Sequence, residues 1–371
     1  MFTEPDRIFM LEALKLARKG LGSVEPNPAV GCVIVKNGKI IGKGYHKKFG
    51  NPHAEIEALK DCVKKGNNPA GSTVYVTLEP CCHFGKTGPC TDALIAAKVK
   101  KVIAATSDPS PHAAGKGFKL LKKSGIEVAH GLLAKEAKEI NLPFFKYAST
   151  GRPWIILKWA QSIDAKLACS NNRWITSEQS RADVHALRRR TQAILVGINT
   201  VLADDPLLTP RPPANDRRPL RIILDPHLQT PLTSNIVKTA SSCPVLIFTS
   251  AKALKTPKAV KIQKMNVICS PLPLNNSKFD LAALLNDLSK RNGISQLLVE
   301  GGPTVLASFL AAGLVDEFRI YIAPKILARS GSADISAIFS TIASNITMSN
   351  IQYLHIGPDI CISALAGPAA R

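Results

Sequence analysis

The chain has 371 residues and is 45% hydrophobic, long enough for two domains that each bury a core. It holds no apolar run near the roughly 18 residues that a membrane span needs. Its start, MFTEPDRIFMLEALKLARKG, has acids ahead of the apolar positions and no small-residue cleavage site, so it does not read as a signal peptide, and a cytoplasmic location is expected. The formal net charge of +21 is dispersed, which fits a solvated basic surface, a nucleic-acid partner or phosphorylated small molecules.

In chain order, DRIFMLEALKLARKG spaces Ile8, Leu11, Leu14 and Leu16 as a helix that ends at Gly20. AVGCVIV and KIIGKGY flank Asn37-Gly38, a hairpin signal because both turn positions need positive φ. HAEIEALKDCVKK predicts a helix from near His53, STVYVTL a strand, CTDALIAAK a helix opening near Cys90, KVIAAT a strand and GKGFKLLKKSG a helix. This alternation implies a layered α/β domain. Pro143, Gly151 and Pro153 punctuate residues 141–154, and domains of 1–146 and 147–371 are expected. The second half restarts with WIILKWA (strand), SEQSRADVHALRRR (helix), and QAILVG, LRIILD and PVLIFTS (strands). QLLVEGGPTVLASFLAAGLV reads as a buried strand, a Gly-Gly turn and a helix from Pro303, and EFRIYIAP as a late strand.

Of nine cysteines, Cys32, Cys62, Cys169, Cys243, Cys269 and Cys361 are scattered and read as small buried hydrophobes. Cys81, Cys82 and Cys90 cluster in EPCCHFGKTGPC, downstream of His53-Ala54-Glu55. An imidazole and two thiolates suit Zn2+, and helix starts favour thiolate over thiol. His53, Cys81 and Cys90 are the expected metal ligands. Pro80 before Cys81 favours it over Cys82, which remains open as a competitor. Glu55, two residues past His53, is the expected catalytic proton carrier, off the metal but near its water. H-x-E followed by P-C and a further Cys is the pattern of the zinc deaminases. The alternatives at this point are a capping histidine, a structural zinc or no metal.

EPNPAVGCVIVKNGKIIGKGYHKKFGNPHAE and VTLEPCCHFGKTGPCTDALIAAKVKKV resemble the deaminase half of the bifunctional riboflavin-biosynthesis deaminase/reductase family, whose cysteines are widened to P-C-x8-C. The resemblance implies a cytidine-deaminase-like three-layer domain, with Asn27, His46, His83 and Lys86 on the pyrimidine or its ribose phosphate.

The second half lacks G-x-G-x-x-G. On the residues alone, VEGGPT is evenly balanced between a tight turn and an anion site in which the N–H groups of Gly302 to Val305 face a phosphate. LKWAQSIDAKLA, RWITSEQSRADVHALRRR, AILVGINTVLADDPLLTPR and VEGGPTVLASFLAAGLVDEFRIYIAPKIL are similar to the reductase half of the same family. That half implies a dihydrofolate-reductase-like fold using NADPH. Carried over by position, Ala160, Trp174, Thr200, Asp204, Gly302, Pro303, Thr304, Val305, Leu306, Ala307 and Ser308 are cofactor positions. Lys158, Asn172, Arg188, Leu208, Arg211 and Glu300 are substrate positions, with Arg188 and Arg211 offering guanidinium forks to a ribose 5-phosphate. Ala165 stands where the family has Gly and is expected to narrow the room beside the nicotinamide.

The resemblance therefore implies hydrolytic deamination of 2,5-diamino-6-(5-phosphoribosylamino)pyrimidin-4(3H)-one, then NADPH reduction of the ribose chain. The expected partners are phosphorylated pyrimidines, without nucleic acid or membrane, in a homo-oligomer. The competing reading is a nucleic-acid-editing zinc deaminase with a basic RNA-binding C-terminal domain. It calls for stacking aromatics, and these are only 5% of the chain.

Overall fold

The structure is a computed structural model that describes residues 2–85, 88–111, 113–169, 174–212, 218–275, 278–340, 342 and 345–367. It divides into two compact units, Met1–Gly151 and Arg152–Arg371.

The first unit runs α1 (Glu4–Arg18), β1 (Gly31–Lys36), β2 (Lys39–Tyr45), α2 (Ala54–Lys64), β3 (Thr73–Val76), α3 (Cys90–Ala96), β4 (Lys101–Ala104), α4 (Lys116–Lys123), β5 (Glu127–His130), α5 (Ala134–Ile140) and α6 (Leu142–Thr150). Thr3 and Asp6 form a capping box that starts α1. The sheet order is β2-β1-β3-β4-β5, antiparallel on the β2 side and parallel from β3 to β5. Strand alternation divides the core into two layers. Cys32, Ile34, Val74 and Val76 pack with Ala54, Ala58, Leu94 and Leu121, while Val33, Val35, Tyr75 and Ile103 pack with Met10, Ala13, Leu14 and Ala137. The result is a three-layer α/β/α unit.

Register positions the site. Gly31 pairs with Tyr45 and Cys32 with Val76, so the start of β1 and the ends of β2 and β3 share one end of the sheet. The chain before β1 (27–30), after β2 (46–53) and after β3 (77–90) therefore converges there. Helix α2 reaches that end because β2 presents glycines to it. A Cβ on Gly44 would lie 2.3 Å from the Ala54 carbonyl oxygen, and one on Gly42 would lie 2.5 Å from that of Ala58.

The punctuated stretch 141–154 is mostly helical. Pro143 falls in the first turn of α6, where its missing N–H costs nothing, and Gly151 ends the helix at φ 68°. Helix α6 thus runs through the expected boundary at 146/147.

The second unit contains β6 (Trp154–Ser162), β7 (Lys166–Cys169), α7 (Glu178–Arg190), β8 (Ala193–Gly197), α8 (Ile198–Asp204), β9 (Leu220–Leu224), α9 (Asn235–Lys238), β10 (Val245–Thr249), α10 (Pro257–Gln263) and β11 (Val267–Pro271). It continues through β12 (Leu274–Asn275), β13 (Lys278–Phe279), α11 (Leu281–Asn292), β14 (Gln296–Val299), α12 (Pro303–Ala311), β15 (Glu317–Ala323), β16 (Gly331–Asp334), α13 (Ser336–Phe339), β17 (Met348–Ile356) and β18 (Asp359–Ala366). Nine strands form one sheet in the order β11-β10-β9-β8-β14-β6-β15-β18-β17, parallel except where β18 pairs with β15 and β17. The apolar runs foreseen as strands are fully buried where both faces are covered, as in AILVG of β8 and VLIFT of β10. Neighbouring strands β8, β14 and β6 end on the same side, where parallel α/β sheets hold ligands.

No helix among the described residues is long and apolar enough to cross a membrane. Replacing Gly44 with Ala is expected to destabilise the first unit by about 1–3 kcal/mol through overpacking against the α2 backbone. Denaturant unfolding checks this, and an unchanged midpoint would show that α2 moves away from β2 freely.

Candidate functional site

In the first unit, His53 is the N-cap of α2 and Cys90 opens α3. The His53 Nδ1 lies 3.4 Å from the Cys81 Sγ and 3.3 Å from the Cys90 Sγ. All three donor atoms lie within 4.8 Å of one another. Zinc bonds of about 2.0–2.1 Å to nitrogen and about 2.3 Å to sulfur, at a tetrahedral angle, put N and S about 3.5 Å apart. The donor set fits zinc in chemistry and in spacing. Among the described residues the donor cluster takes in Cys81 and leaves out its neighbour Cys82.

The electrostatics agree. The hydrogen bond from Cys90 outweighs burial and, with His53, brings the Cys81 thiol down to about 4. The same bond pushes the Cys90 thiol up. Two sulfurs that compete for one proton are relieved by a divalent cation between them. The His53 imidazole is raised by its bond to Cys81. Glu55 is 3% exposed, and burial, with the Cys81 charge second, lifts its carboxyl to about 7.

A cavity of about 270 Å³ opens over this cluster, with Asn27, His46, His53, Glu55, Cys81 and His83 in its wall. Lys86 lies outside the described residues. The His46 Nδ1 is 3.1 Å from the Pro52 carbonyl and so carries the proton, which makes Nε2 the acceptor for Asn27 Nδ2 at 3.3 Å. That bond orients the Asn27 amide. Burial holds His46 below its ordinary value, hence neutral.

Sequence reasoning missed Glu79, Asp108 and Phe144, which also line the cavity. Glu79 is buried and accepts backbone N–H bonds from Asp108 (3.2 Å), Gly115 (2.9 Å), Gly117 (2.9 Å) and Phe118 (3.3 Å), which clamps the segment leading into α4. The only sequence signal was an acid directly before Pro80-Cys81.

In the second unit the sites are two cavities that share Thr200, of about 250 Å³ and about 200 Å³. The first gathers Lys158, Ala160, Trp174, Arg188, Asp204, Leu208, Arg211 and Glu300. Asn172 lies outside the described residues. Trp174 is not core but 48% exposed, with the Arg181 guanidinium 4.8 Å from its ring centre.

Arg188 donates from Nε (2.6 Å) and Nη2 (2.9 Å) to Glu300, and the Lys158 Nζ stands 3.7 Å from the same carboxylate. Its planar fork is taken by Glu300, because a carboxylate this buried must be paired, and its Nη1 lies 3.4 Å from the Thr209 carbonyl. Burial would raise Glu300, but Arg188 and Lys158 hold it at about 2. Burial lowers Lys158, with the like charge of Arg188 adding to it and Glu300 opposing it. Sequence reasoning also missed His185, which lines this cavity with Nδ1 buried and without a partner among the described residues.

The second cavity surrounds the start of α12, with Gly302, Pro303, Thr304, Val305 and Ser308 in its wall. Leu306 and Ala307, from the same run, are 3% and 5% exposed and line neither cavity, since helix periodicity turns them inward. Gly301 serves packing, as its Cβ would lie 2.6 Å from the Val196 Cα. The anion reading of Gly302–Val305 narrows. The Gly302 N–H donates to Thr200 Oγ1 at 2.9 Å, that of Val305 goes to the Gly302 carbonyl, and Pro303 has none. The Thr304 amide is left. Ala165 lines neither cavity and sits in a turn at φ 64°.

Residues 153–362 match the family model described as the RibD C-terminal domain, and residues 3–106 match that of the cytidine and deoxycytidylate deaminase zinc-binding region. The chain is 44% identical to the riboflavin biosynthesis protein RibD of Aquifex aeolicus (strain VF5), over 98% of this chain and 99% of that one. It superposes on Acinetobacter baumannii RibD with a TM-score of 0.86 at 37% identity, covering 98% of this chain and 99% of that one. The diaminohydroxyphosphoribosylaminopyrimidine deaminase/5-amino-6-(5-phosphoribosylamino)uracil reductase of Thermotoga maritima gives a TM-score of 0.82 at 34% identity, with the same coverage.

The Glu300 carboxylate yields a pH test. Its depressed value means that its stabilisation is complete above 4.5 and drains as pH falls toward 2. The gap in unfolding free energy between wild type and Glu300→Gln is therefore expected to close over that range in urea titrations. A gap independent of pH would show that Glu300 is not held ionised.

Proposed function

The chain belongs to the RibD family and is a bifunctional riboflavin-biosynthesis enzyme, and from that premise we propose which of its residues carry the deaminase and which the reductase. The first unit is assigned the hydrolytic deamination of 2,5-diamino-6-(5-phosphoribosylamino)pyrimidin-4(3H)-one. The second is assigned the reduction of the ribose side chain to give 5-amino-6-(5-phosphoribitylamino)uracil. The observation that carries the first assignment is the convergence of the His53, Cys81 and Cys90 donor atoms beside a cavity lined by His53, Cys81 and Glu55.

His53, Cys81 and Cys90 would hold the zinc. When bound there, zinc supplies a nucleophilic water near neutral pH. Glu55, buried in the wall of the same cavity, would take a proton from the water and return it to the ring nitrogen and then to the departing amine. Asn27, whose Nδ2 is engaged by His46, presents Oδ1 to an N–H of the pyrimidine. His83 and Lys86 take the ribose phosphate side.

In the second unit the residues of the two cavities joined at Thr200 would hold NADPH, which would supply a hydride to the ribose C1′. Lys158, buried beside Glu300 and lowered by that burial, holds a proton for the sugar oxygen as the carbonyl is reduced. Glu300 keeps Lys158 and Arg188 in place, and Arg211 meets the 5-phosphate. Ala160, Trp174, Asp204 and the start of α12 bound the cofactor.

Anionic substrates and an anionic cofactor account for the +21 charge through steering, without nucleic acid. Low aromatic content also argues against the RNA-editing reading. We infer a cytoplasmic enzyme and a homo-oligomer. The outer strand β17 leaves Ile351, Tyr353 and Leu354 exposed, a strip suited to a second copy.

Glu55→Gln is expected to cut ammonia release by about 10²–10⁴-fold while zinc content and NADPH-dependent reduction persist. Metal analysis with separate assays of ammonia and NADPH checks this. Loss of zinc in that variant would place Glu55 among the ligands instead.

A further inference from the structure

The cavity at α12 has an uneven charge. Among the described residues of its wall, Lys278 is the only one with a charged side chain, and no described carboxylate pairs with it. We propose that Lys278 is the residue by which the reductase unit selects NADPH over NADH, its ammonium receiving the adenosine 2′-phosphate. This rests on the cofactor placement given above and extends it.

The direction of the cofactor follows from the two cavities. Hydride must be delivered where Lys158 and Glu300 lie, so the nicotinamide end passes Thr200 toward them. The adenosine end then points the other way, to where Phe279 and Leu281 offer an apolar surface. Lys278 precedes Phe279 on β13, which sets its charge beside the adenosine. NADPH differs from NADH only by a phosphate on that ribose.

The backbone has little to offer this extra anion. Of the first-turn amides of α12, that of Thr304 is left, while Gly302 and Val305 are engaged within the fold. One amide and a helix dipole serve the pyrophosphate. A second phosphate needs a separate cation, and lysine binds phosphate as a mobile point charge.

The test is equilibrium titration of the full-length protein with NADPH, NADH, 2′,5′-ADP and 5′-AMP. Lys278→Ala is expected to weaken NADPH and 2′,5′-ADP about tenfold, about 1.4 kcal/mol, and to leave NADH and 5′-AMP unchanged. Lys278→Arg is expected to keep the preference. Equal weakening of both cofactors, or of neither, overturns the role of Lys278. Ser308→Trp fills the same cavity and is expected to abolish binding of all four. Retained NADPH affinity in Ser308→Trp would overturn the cofactor placement itself, separately from the lysine.

Discussion

The first unit depends on one close approach, that of the opening turns of α2 to β2 at Gly42 and Gly44. Any side chain there would press on the backbone of Ala54 or Ala58, and α2 would have to move outward. His53 and Glu55 ride on that turn. Nδ1 of His53 stands within 3.4 Å of two sulfurs carried by the loop after β3 and the start of α3, so a displacement of about an ångström would spoil a tetrahedral site. The chemistry is thus set by sheet geometry. Glycines on β2 admit the helix, antiparallel register brings three chain segments to one end, and burial then tunes the carboxylate.

In the second unit the equivalent constraint is a buried charge. Glu300 follows β14, Arg188 comes from α7 and Lys158 from β6, and the carboxylate joins them. Isolated in a half-dry cavity, each of these charges would be costly, and together they hold one another. The trio leaves a net positive charge beside Arg211, suited to a phosphorylated sugar. A second buried cation supports the wall. Arg221 on β9 is fully buried, has no carboxylate partner among the described residues, and donates to the carbonyls of Leu207, Thr239 and Cys243. It pins the segment that carries Leu208 into the cavity.

The metal cluster was legible in the sequence because its parts are local. H-x-E places an imidazole and a carboxylate on one helical turn, and P-C with a later Cys brackets a helix start. Most strands were legible because their apolar runs are short and β-branched. Other features resisted. Glu79 acts through backbone amides 29 to 39 residues away, which no local pattern announces. Helix α6 hid behind Pro143 and Gly151, which mark helix ends as readily as linkers. Leu306 and Ala307 line neither cavity because a contiguous run was carried onto a helix, whose turn sends two of those side chains into the core.

What the sequence alone determined is the inventory: two α/β units in order, a His-Cys-Cys donor set with a nearby acid, and a strand–Gly-Gly–helix in the second half. Residue types and short-range spacing suffice for that, because periodicity and ligand chemistry are local properties. Only the tertiary structure decided that Cys81 rather than Cys82 faces His53, that Arg188 spends its fork on Glu300, and that Lys278 lines the cavity at the start of α12. Each of those outcomes depends on which side chains from distant segments meet in space, and burial, which sets their protonation and pairing, exists only once they have met.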